Sequence, residues 1–316
     1  MSESQLRPFY MACRDPSGEM LAACPFFYNR RKYFLYLESL PSSLIGGPVV
    51  SESEIARNQI MDSLLKSVKF SPLNPVTAMS IRVHQKAIIN SMAALGLKSP
   101  ATHCLLVLDL QEKTPESIWN NGFQKHDRRA IKFFEKKGTE FRFAREEKDY
   151  LDFLSLPNPN YKFYRDRLGR ADVFSKMRLN LGDRLAVAIA FYEDKMIAGI
   201  PLLLDPSISM VHTIRGLRYS SLNIHEPMAN VTYCNWKVVN WAHEHGYRYV
   251  DFGSYPISGV LSPHNPFSKF RERFQLEVVP WHRFTVPTSK FAYALARRII
   301  PSRDSSRGAL VDLQQR

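Results

Sequence analysis

Apolar and polar positions along this chain switch between a two-residue and a three-to-four-residue period, the pattern of alternating strands and helices. Residues 9–13 and 20–28 read as strands joined across Asp15-Pro16-Ser17-Gly18, whose residues suit a tight reversal, and 33–37 as a third strand. Ser53 opens a predicted helix over 54–68, with Ile55, Ile60, Leu64, Leu65 and Val68 on one face. A strand over 78–83, a helix over 85–95 closed by Gly96, and a strand over 103–110 follow. Gly46-Gly47-Pro48 lacks the helix start that a phosphate cradle needs and reads as a turn.

The character changes at Thr114. Pro115 begins one helix, and 124–138 forms a strongly basic second helix ended by Gly138, before a strand over 140–144. A helix over 150–156 stops at Pro157-Asn158-Pro159-Asn160, and 172–181 is an amphipathic helix. Residues 184–192 and 196–204 form an apolar hairpin across Glu193-Asp194-Lys195, and 209–215 extends its sheet. Gly199 and Pro201 interrupt the second arm, which predicts a bulge or a splayed edge. A long helix opens at His225 and closes at Gly246, and 247–252 alternates as a strand ending near Asp251. A loop punctuated by Gly253, Pro256, Gly259, Pro263 and Pro266 leads to a short basic helix or turn at 267–274. A last helix is predicted over 289–300.

Composition narrows the class. At 316 residues and 45% hydrophobic the chain supports a large core. A net charge of +13 favours a polyanionic partner: tRNA, a nucleotide-linked substrate or an anionic membrane surface. The four cysteines, Cys13, Cys24, Cys104 and Cys234, have neither metal-site nor disulfide-framework spacing, so a reduced, cytoplasmic setting and no metal are expected. The apolar stretch at 185–204 is broken by charges, and no transmembrane segment is expected.

The chemistry is expected where the strand at 247–252 meets its loop. Asp251 at a strand end is placed either to contact ligand or to cap a turn. Lys269 and Arg271, interleaved with Phe267, Phe270 and Phe274, can pair with an anionic group or form a solvated face. Tyr164, among the aromatics and cations of 161–167, can stack on a base or cover a core edge.

Gly246, then Asp251-Phe252-Gly253, then Phe270-Arg271-x-x-Phe274 resembles the C-terminal signature of the FemAB-like acyltransferases, relatives of the peptidoglycan-bridge aminoacyltransferases. Arg271 stands where that family usually has Lys, and Gln275 where it usually has Gly. Arg128, Ile131 and Gly138 resemble the family's R-x-x-I…G helix, with Ala130 displaced. The resemblance implies an α/β fold of tandem GNAT-like mixed sheets flanked by helices. Expected halves are 1–112 and 113–288, the second holding the site, with a helix and tail at 289–316. It implies transfer of an acyl or aminoacyl group from acyl-CoA or aminoacyl-tRNA to an amine on a cell-envelope or polysaccharide precursor, with no tightly bound cofactor. Lys269, Arg271, Tyr164 and Arg128 are then substrate-binding candidates.

Acyl transfer to an amine requires a neutral amine and a stabilised carbonyl oxygen, and neither requires a nucleophilic side chain. Asp251 is expected to orient or deprotonate the amine, with His225 as a second candidate base, and backbone N–H groups at Gly199 and Ile200 to hold the oxygen. The alternative is a non-catalytic protein that binds RNA or an anionic surface through its basic helix at 125–137 and the aromatic and cationic segment near Tyr161.

Overall fold

The computed structural model describes residues 8–14, 17–18, 20–31, 34–38, 49–50, 76–83, 86–94, 97, 99, 101–156, 171–213, 218–219 and 227–287. The turn at Gly46-Gly47-Pro48, the helices predicted over 54–68 and 289–300, and the candidates Tyr164 and His225 lie outside them.

The chain forms two compact units, one of Met1–Cys104 with Pro280–Arg316 and one of Leu105–Val279. Local sequence pattern puts boundaries at 112/113 and 288/289, whereas packing divides the chain at 104/105 and 279/280.

In the first unit, β1 (Pro8–Arg14), β2 (Met20–Arg31), β3 (Phe34–Glu38), β5 (Val76–Val83) and β13 (Glu277–Pro287) lie in that order. A two-residue β4 (Val49–Val50) sits beside β2. The β3–β5 pairing is parallel and the other pairings along this order are antiparallel. Helix α1 (Lys86–Ala94) buries Ile88 and Met92, and β5 buries Met79, Ile81 and Val83 on alternate positions.

The second unit has the order β6 (His103–Asp109), β12 (Tyr249–Pro256), β10 (Met210–Thr213), β9 (Lys195–Asp205), β8 (Leu185–Tyr192) and β7 (Glu140–Phe143). β11 (Arg218–Tyr219) also pairs with β9. The sheet is mixed, because β10 and β12 are parallel while β7 to β10 are joined by antiparallel pairings. The β8–β9 reversal uses Glu193 and Asp194 at φ 47° and 57°, the left-handed pair that a two-residue hairpin needs.

The period-two pattern assigns each face of this sheet its cover. On one face Leu185, Val187 and Ile189 pack with Phe153 of α3 (Glu147–Ser155) and Phe174 of α4 (Ala171–Leu181). On the other, α5 (Pro227–Glu244) connects β10 to β12 in the chain and packs with α2 (Lys125–Lys136), with the Tyr233 and Phe134 rings 5.2 Å apart and Val238, Val239, Ala242 and Ile131 also buried. Gly246, at φ 73°, ends α5 as its position predicts, with Tyr247 N donating to Ala242 O at 2.9 Å. After β12 come α6 (Ile257–Leu261) and α7 (Pro266–Arg273). Asn265 caps α7 by accepting from Phe267 N at 3.0 Å, and Pro266 occupies the first turn, where its missing N–H costs nothing.

Candidate functional site

β10 and β12 pair over three rungs: Met210 with Tyr249, Val211 with Val250, and His212 with Asp251. β10 ends at Thr213, and Arg218 and Tyr219 pair with β9, opposite Gly199 and Ala198, while β12 runs on to Pro256. Among the described residues the β10–β12 pairing ends at the His212–Asp251 rung.

The last rung carries titratable chemistry. Cross-strand neighbours share a face, and His212 Nδ1 lies 3.1 Å from Asp251 Oδ2. The carboxylate can only accept, so Nδ1 holds the proton and Nε2 is left as the basic nitrogen. The other oxygen, Asp251 Oδ1, accepts from Gly253 N at 2.7 Å. Asp251 is thus held by two donors with a side chain 10% exposed, and His212 is 26% exposed, open enough to exchange a proton. Gly253 sits at φ 90°, a conformation that a side chain would strain, and this turn of the backbone brings its N–H onto the carboxylate.

The residue between them points the other way. Phe252 is buried with ring centroids 5.3 Å from Phe270 and 5.5 Å from Phe274, and Phe274 lies 5.2 Å from Phe123. The Asp-Phe-Gly and Phe-x-x-x-Phe elements of the sequence signature thus form one unit: the aromatics anchor α7 against β12, and the strand presents Asp251 to the opposite face.

A second set of bonds holds α7 in place. Arg273 Nε lies 2.9 Å from buried Asp127 Oδ1, and Arg273 Nη1 donates to Thr232 Oγ1 at 3.1 Å. Asp127 Oδ2 accepts from Gln124 N at 3.1 Å and so closes the first turn of α2. Gln275, at φ 54°, occupies a left-handed position that suits the glycine of the family pattern, and its Nε2 donates to Ser117 O at 3.2 Å. A Cβ on Gly122 would stand 2.4 Å from Arg273 O, so this close approach requires glycine.

The other expected residues fall in several places. Lys269 is exposed on α7, and the partly exposed Arg271 guanidinium lies 3.6 Å from Glu272. Arg128 donates through Nη1 to Trp119 O, at 3.1 Å, and to Phe123 O, so its guanidinium braces the turn at Ile118–Gly122. The irregularity predicted at Gly199 and Pro201 lies instead at Ile197: Ala190 pairs with Ala198 and Phe191 with Met196. Gly199 pairs with Ile189 and Arg218, and a Cβ there would stand 2.4 Å from Phe153 Cδ2. Its smallness admits that ring. Ile200 is buried, on the face opposite to Gly199.

His212 was not anticipated. The available signal was topological: a strand, a helix and a second strand placed parallel to the first bring the third residue of β10 beside the third residue of β12. Cys104 and Cys234 are buried thiols outside any disulfide, and burial pushes the Cys234 thiol above its ordinary pKa, which disfavours the thiolate that a covalent route needs.

Neither a protein-family model nor a curated protein matches the sequence. Solved structures match in fold. FemX superposes with a TM-score of 0.65 at 12% identity, over 93% of this chain and 90% of that one. L-PGS from Bacillus licheniformis gives 0.59 at 14% identity, over 94% and 90%. A tandem GNAT protein from the clavulanic acid biosynthesis pathway gives 0.56 at 10% identity, over 91% and 85%. The chain therefore has an α/β fold of the tandem GNAT type, with mixed sheets flanked by helices.

Proposed function

We propose that this protein is an N-acyltransferase that moves an acyl or aminoacyl group from a carrier, acyl-CoA or aminoacyl-tRNA, to an amine on a cell-envelope or polysaccharide precursor. The observation that carries this reading is the His212–Asp251 pair on the last described rung between β10 and β12. The likeness of the fold to FemX and to a tandem GNAT protein supports it.

In this reading His212 Nε2 takes a proton from the incoming amine, and Asp251 orients the ring and stabilises the imidazolium that forms. The amine nitrogen attacks the donor carbonyl carbon, a C–N bond forms, and the bond to the carrier's sulfur or oxygen breaks. The released carrier group takes up a proton. Backbone N–H groups near that rung stabilise the carbonyl oxygen as it becomes negative. Lys269 and Arg271, on α7 after the loop at 262–265, hold an anionic part of donor or acceptor. Attack is direct, with no acyl-enzyme.

The setting proposed is the cytoplasm, where both carriers occur. Among the described residues no helix is long and apolar enough to cross a membrane.

The test supplies labelled acyl-CoA and labelled aminoacyl-tRNA in parallel, with a panel of small amines and envelope precursors. Transfer from one donor, lost in His212→Ala, supports the reading. No transfer from either donor, together with salt-sensitive RNA binding, would favour the non-catalytic alternative.

A further inference from the structure

Helix α2 carries an arrangement that its own fold does not stabilise. Lys125, Arg129, Lys132 and Lys136 recur at steps of four, three and four residues and are all exposed. At 3.6 residues per turn these side chains fall within about 60° of arc and form a line about 16 Å long, one cation per turn. Each is thus the helical neighbour of another cation, and like charges at these spacings destabilise a helix. Lys125 also stands in the first turn, where the helix dipole disfavours a positive charge.

No carboxylate compensates. The acids of α2 are Asp127 and Glu135, and both are engaged elsewhere: Asp127 is buried against Arg273, and Glu135 pairs with Lys237 of α5 at 2.7 Å. Among the described residues none of the four cations has an ion pair. The expected i,i+4 charge pairs of a solvated helix are absent from this stripe. Beside it lies the half-buried Trp119 ring, with Lys132 Nζ 5.9 Å from its centroid.

We propose that this stripe docks the phosphate backbone of a structured RNA. Four evenly spaced cations without counter-charges match a linear polyanion. The stripe contains no exposed aliphatic side chain to insert into a bilayer, while a ring at its flank can stack on a base or ribose. Where the RNA is the aminoacylated carrier, this deepens the proposed reaction by selecting that donor; RNA binding itself does not depend on the transfer chemistry.

The experiment measures binding of a fluorescently labelled, unacylated tRNA transcript to the full chain by anisotropy across a salt series. Four phosphate contacts predict an affinity that falls roughly 100-fold between 50 and 200 mM salt. Arg129→Gln with Lys132→Gln should flatten the log–log salt slope by about 2 and weaken binding about tenfold or more at low salt. The melting temperature should hold, since both side chains are exposed. The control Lys148→Gln with Lys176→Gln, two exposed lysines on other helices, should bind as the parent does. Equal losses in both double variants, or no loss in the α2 variant, would overturn the proposal. So would α2-dependent binding to phosphatidylglycerol vesicles with none to tRNA. Because the probe carries no amino acid, a failure of transfer leaves this result intact, and a failure of binding leaves transfer from acyl-CoA open.

Discussion

Arg273 reaches Asp127 across 2.9 Å, with side chains 17% and 5% exposed, and this pair ties the helix after β12 to the basic helix α2. Breaking a buried pair from one side leaves the other charge desolvated, at a cost of about 3–5 kcal/mol. Asp127→Ala also removes the acceptor for Gln124 N, so it should lower stability by at least about 3 kcal/mol in chemical denaturation. A loss below about 1 kcal/mol would mean that solvent reaches this pair.

Asp251→Asn keeps the shape of the last rung but can donate to His212, which favours the wrong imidazole tautomer. Turnover should fall by about 100-fold or more, with KM changing by less than about threefold. His212→Ala should cost as much, and the double variant little more than either single one, because the two groups act as a unit. Additive losses would separate them.

Gly199→Ala separates a steric role from a backbone role in holding substrate. Its new methyl would meet the buried Phe153 ring at 2.4 Å, so stability should drop by about 1–3 kcal/mol. Phe153→Leu in the same chain should recover part of that loss. If stability holds and only transfer is lost, Gly199 acts on substrate.

The acid limb of stability should report Asp149. Arg142 makes two bonds to this carboxylate, at 2.6 and 2.7 Å, and these hydrogen bonds hold its pKa well below the usual carboxylate range. A carboxyl depressed on folding contributes stability that is present above its unfolded pKa of about 3.9 and is lost as pH falls toward its folded value. The melting temperatures of the parent and Asp149→Asn should therefore differ most above about pH 5, and the gap should narrow progressively as pH falls from about 4 toward about 2. A constant gap across that range would show that the charge on Asp149 is not the source.

Elements governed by nearest neighbours along the chain were legible. The glycine that ends α5, the strand bearing Asp251, the basic helix and the hairpin at Glu193-Asp194 each follow from contacts within a few residues, where periodicity and turn chemistry operate. His212 and Asp251 stand 39 residues apart, and Asp109 and Arg248, whose side chains bond at 3.0 Å, stand 139 apart. Such pairs depend on strand order and register, which are set when α5 packs its apolar face against the sheet, and no local period encodes them. The same holds for Gly199, which looked like a break in its strand and proved to be the space occupied by a ring from α3. Side chains that are free to choose among local patterns are assigned their chemistry by whatever the packed core places opposite them.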